Sequence, residues 1–96
     1  MKLFIVHCGF YDTDVLEGVY ESHVCFVVPA ESFEDARVKV KLEPTFQAKR
    51  MHVDGLQMVE ALKGYRVNLV LDDALAGQSL ITSSRHRDLA PKKLET

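Results

Sequence analysis

The chain has 96 residues, 47% hydrophobic and 27% charged, with a formal net charge of −2. That length fits one small domain with a single core and leaves no room for separate cofactor and substrate lobes. The net charge argues against a nucleic-acid binder that works by neutralising phosphates, and no run approaches the length of a membrane span. Nucleic acid and membrane are therefore not expected as partners.

The first element is the apolar run Lys2–Cys8, rich in β-formers and stopped by Gly9. It reads as a strand buried on both faces, in the middle of a sheet. It is too short for a signal-peptide core and lacks a small-residue cleavage site after it. With only Cys8 and Cys25 present, there is no disulfide framework. The cytoplasm, with both thiols reduced, is the expected compartment.

After a polar connection, Val19–Val28 reads as a second strand ended by Pro29. Alternation puts Glu21, His23, Cys25 and Val27 on one face. A helix follows: Ser32 can cap, Asp35 stands at capping-box spacing, and Phe33, Ala36 and Val40 fall on one stripe. Pro44 is the expected stop.

Lys49–Asp54 reads as a short extended segment. Leu56–Leu71 reads as a hairpin turning at Lys63-Gly64, with a helix over 55–62 as the alternative. Leu80-Ile81 is a candidate edge strand. These elements predict an α+β fold: a mainly antiparallel sheet of four or five strands, in β-β-α-β-β order, with one principal helix on one face. The domain is expected over residues 1–81, followed by a polar tail over 82–96 that frays or docks on a neighbour.

Charge is unevenly placed. Seven acidic residues and no Lys or Arg lie between Phe10 and Ala36, and a basic stretch follows from Arg37 to Arg50. Such asymmetry can orient copies of the chain, so self-association or a protein partner is an expectation.

The chemistry-bearing residues are Glu21 and His23, two apart on the second strand, and His52 and Asp54, two apart in the extended segment. His7 lies on the first strand, with Asp12 in the loop after it. Carboxylates and imidazoles meeting in a cleft could hold a metal, with His23, His52 and Asp54 as ligands. They could also supply a base and its orienter, with Glu21, His23, His52 and Asp54 as catalytic candidates. The bland account is that these groups satisfy backbone ends and one another.

Cys8 or Cys25 could act as a nucleophile beside His7 or His23, although a buried thiol more often behaves as a small hydrophobe. Phe10, Tyr11 and Tyr20, with Asp12 and Asp14, could line a pocket or form the core rim; the rim is preferred. His86–Lys93 (HRDLAPKK) imitates a kinase catalytic loop, but the other kinase parts are missing.

The segments MKLFIVHCGFYD, GVYESH, FVVPAESFEDARVKVK, KRMHVDG and LKGYRVNLVL together resemble a small bacterial family of uncharacterised domains, over about residues 1–71. The resemblance rests on Gly9, Glu21 and His23, His52 and Asp54, and Gly64 and Tyr65. The family has no established activity, so the resemblance implies no catalytic residues and no cofactor. Lacking a phosphate loop, a zinc signature or a nucleophile motif, the chain is expected to be a non-enzymatic binding or assembly module without cofactors. The alternative is a small metal-dependent or acid–base enzyme using the Glu/His/His/Asp set.

Overall fold

In the computed structural model, which describes residues 1–89, the first apolar run becomes β1, Lys2–Tyr11. It pairs antiparallel on both sides, with β2 (Glu21–Ala30) and β3 (His52–Val59), giving the order β2-β1-β3. The central position agrees with a strand that is apolar in both registers. β2 is an edge strand and runs past Pro29, which faces Leu3. Proline was expected to end this strand. An edge position leaves its missing N–H without cost to the ladder.

Even-numbered residues of β1 face the helical layer. Phe4, Val6 and Cys8 are fully buried there. Val28 and Ala30 of β2 join them, with Ala36 and Val40 from α1 (Phe33–Lys41). Full burial of side chains such as Phe4 and Val6 contributes about 1.5–3 kcal/mol each. α1 packs against all three strands. Phe33 stays half exposed, its ring set edge-on to Phe4 with centroids 5.2 Å apart.

The start of α1 follows the expected capping box. Asp35 N–H donates to Ser32 Oγ at 3.1 Å, and Glu31 N–H donates to Asp35 Oδ2 at 2.9 Å. α1 ends at Lys41, ahead of Pro44 as expected, and Pro44 itself opens a second short helix, α2 (Pro44–Ala48). Proline suits a first helical turn, where its absent N–H would have no partner. α2 buries Phe46 against the core.

Three differences from expectation concern the second half. Residues 55–59 are strand, as the preferred reading has it and not the helix of the alternative, but they continue β3 from His52 instead of forming one arm of a hairpin. The hairpin is reduced to β4 (Ala61–Leu62) and β5 (Tyr65–Arg66), so the molecule has a three-stranded sheet and a separate two-stranded ribbon. Its turn is the expected one: Lys63 (φ 49°) and Gly64 (φ 89°) both lie in the left-handed region, as a type I′ turn requires. Leu80-Ile81 forms no strand.

Beyond Val67, whose N–H still reaches Glu60 O, the chain leaves the domain. The radius of gyration is 17.0 Å, against about 12 Å for a compact chain of this length. Val70, Leu71, Leu80 and Ile81 are all more than 70% exposed on this arm. The arm includes short 3-10 turns at Asp73–Leu75 and His86–Leu89. Residues 90–96 of the expected tail lie outside the described residues. No described helix is long and apolar enough to cross a membrane.

Candidate metal centre

Odd-numbered residues of β1 face away from the helices, and partners across an antiparallel pair share a face. The registers Gly9↔His23, Tyr11↔Glu21 and Gly9↔His52 therefore bring Glu21, His23 and His52 to one end of the helix-free surface. His7, opposite Cys25 and Gly55, is on the same surface.

Asp54 arrives there by a different route. The β1–β3 register shifts between His7, which faces Gly55, and Cys8, which faces Val53. Asp54 is the extra residue of a β-bulge, a device that re-aims a side chain. Without it, strict alternation could not send both Val53 and Leu56 toward the core, where both pack. The bulge frees the Asp54 carboxylate to lean over the centre of the sheet.

Four contacts define the cluster. His52 Nε2 lies 2.6 Å from Glu21 Oε1 and 3.1 Å from Asp54 Oδ1. His23 Nδ1 is 3.4 Å from Asp54 Oδ2, and its Nε2 is 3.8 Å from Glu21 Oε2. The four side chains are 30–46% exposed, so solvent and ions reach them. The His7 ring lies beside that of His23, centroids 4.9 Å apart. All four residues singled out in the sequence thus converge, and His7 joins them. Asp12 does not: its Oδ1 accepts from Asp14 N–H within the loop.

Gly9 is the floor of the cluster and is buried. A Cβ there would overlap Glu21 Oε1 and stand 2.8 Å from both Asp54 Oδ2 and His52 Nε2. The absent side chain is what lets two carboxylates and an imidazole meet over the central strand. Gly9 and His7 were not among the four site candidates. Their signal was parity: both are odd-numbered positions on the strand that became central.

Two donor sets are compact enough to hold an ion. Glu21, His52 and Asp54 form one, and His7, His23 and Asp54 the other; within each, one ligand atom per residue lies within 4.8 Å of the others. Ligands held about 2.0–2.2 Å from a zinc-class ion stand roughly 3–4 Å apart, so small rotations of exposed side chains close either set.

The two thiols lie on opposite faces: Cys8 is buried in the helical layer, while Cys25 is exposed on the helix-free face, opposite His7. Burial first, then Asp54 and Cys25, push the Cys8 thiol above its ordinary value, the reverse of an activated nucleophile. Phe10 packs at the core rim as expected, with Lys49 Nζ 5.1 Å from its ring centroid. Tyr11 is exposed, and with Asp12, Asp14 and Arg50 it lines a cleft of about 450 Å³.

No protein-family model, curated protein or solved structure matches this chain.

Proposed function

We propose that this domain binds a divalent transition-metal ion on its helix-free sheet face, through Glu21, His52 and Asp54. The supporting observation is the meeting of one imidazole nitrogen and two carboxylate oxygens within 4.8 Å over a glycine floor. One imidazole with two carboxylates suits a zinc-class ion. Three protein ligands leave a coordination position open to water, the arrangement that metal-dependent hydrolysis uses. The geometry therefore favours the metal-dependent alternative over a module without chemistry. Of the positions that carry the family resemblance, Gly9, Glu21, His23, His52 and Asp54 belong to this one cluster, while Gly64 and Tyr65 lie in the separate ribbon.

Zinc titration by calorimetry tests the reading. The unmodified chain should bind Zn²⁺ at low micromolar concentration or tighter, and His52→Ala should weaken this at least 100-fold while leaving the fold intact. A chain that takes up no zinc in metal-free buffer would end the proposal.

A second reading, assembly, is favoured by a separate observation: the arm beyond Val67 displays Val70, Leu71, Leu80 and Ile81 to solvent. Apolar side chains on an extended arm suit docking on a second copy of the chain.

A further inference from the structure

We infer that the cluster is a two-ion centre, with Asp54 bridging one ion held by Glu21 and His52 to a second held by His7 and His23. This rests on the metal-binding reading and adds the number of ions and the role of each imidazole. The observation is how the carboxylates divide their oxygens. Asp54 turns Oδ1 toward His52 (3.1 Å) and Oδ2 toward His23 (3.4 Å). Glu21 divides the same way, with Oε1 toward His52 (2.6 Å) and Oε2 toward His23 (3.8 Å). A carboxylate that serves one ion has no need to present its oxygens to two separate imidazoles. One that spans an ion pair, with metals about 3.5–4 Å apart, must do so.

The alternative role for His23 and His7 is to orient Asp54 by hydrogen bonding, outside the coordination sphere. His7 argues against it. Its ring lies beside that of His23, tilted by 40°, with no carboxylate partner of its own among the described residues, and it completes a compact three-donor set with His23 and Asp54. An orienting histidine makes no use of a second imidazole at its side, whereas an ion takes it as a further donor.

Charge sets the order of filling. The first divalent ion is neutralised by Glu21 and Asp54. The second meets carboxylates already shared, so it binds more weakly and leaves the pair with an excess of positive charge. The first site is therefore Glu21, His52 and Asp54, which has both carboxylates and the closest contact.

The experiment is the zinc stoichiometry of the full chain, read by calorimetry and by elemental analysis after desalting into low-zinc buffer. Two equivalents per chain are expected in two steps. His7→Ala, at an exposed position, should keep the first step and abolish the second, giving one equivalent with an unchanged circular dichroism spectrum. One equivalent in the unmodified chain overturns the two-ion inference and leaves the single-ion reading standing. No uptake overturns both. Two equivalents that persist in His7→Ala also overturn it, because His7 would then be no ligand.

Discussion

Gly9 shows how one missing side chain can define a site. The atoms a Cβ would meet are the ends of Glu21, Asp54 and His52, all flexible and partly exposed. They can swing aside, so Gly9→Ala should cost the fold little. It should scatter the donors, however, and weaken Zn²⁺ binding by about tenfold or more, the scale seen when the surroundings of a ligand set are disturbed. Thermal unfolding together with zinc titration separates the two effects. A melting temperature that drops sharply with unchanged affinity would show Gly9 to be structural only. The same logic explains why Glu21 and Asp54 stay close despite their like charge: His52 Nε2 lies between them, within 3.1 Å of each.

At the scale of elements, α1 is anchored at its N-terminus by paired local contacts. Ser32→Ala removes the acceptor for Asp35 N–H and should destabilise the domain by about 1 kcal/mol. In a domain of this size that lowers the melting temperature by about 4–8 °C. Asp35 adds a pH dependence. The Glu31 N–H and then Lys39 hold its carboxyl below the ordinary value of 3.8. A carboxyl lowered in the folded state contributes stability that is fully present above its unfolded value and is lost as pH falls through the folded one. The gap in melting temperature between the unmodified chain and Asp35→Asn should therefore be present at pH 6 and should close as the pH falls below about 4. A gap that stays constant down to pH 2.5 would contradict the assignment. The bulge in β3 is the other decisive element. It lets one short strand send Val53 and Leu56 to the core while Asp54 serves the opposite face.

For the whole molecule, the unusual property is elongation. Among the described residues, a domain whose core is carried by nine buried side chains trails an arm that buries none. Burial of such apolar side chains would contribute about 1.5–3 kcal/mol each, so covering Leu71 and Ile81 would matter to a chain this small. Sedimentation at 10–200 µM should reveal concentration-dependent association of the full chain. Leu71→Asp should shift the equilibrium toward monomer without changing the circular dichroism of the domain. A strict monomer over this range would remove the assembly reading and leave the metal centre untouched.

Local physics was legible in the sequence. The apolar run of β1, the alternation in β2, the Ser32 cap and the Lys63-Gly64 turn all depend on neighbours within a few residues, and each is present, although β2 begins at Glu21 and runs past Pro29. Parity within β2 likewise put Glu21 and His23 on one face. Tertiary pairing decided the rest. Val53 and Leu56 stand three apart beside Gly55, a break in alternation that marks a bulge once a partner strand is known, but a single strand does not reveal its partner. Most of the expected hairpin arm became part of β3, where Leu56, Gln57, Met58 and Val59 pair with Val6, Ile5, Phe4 and Leu3 of β1. Only when β1 took the centre, with β2 and β3 antiparallel on either side, did two separate acid–imidazole pairs and His7 meet above Gly9. Register is a long-range property, set by which faces must be buried, and no local spacing encodes it.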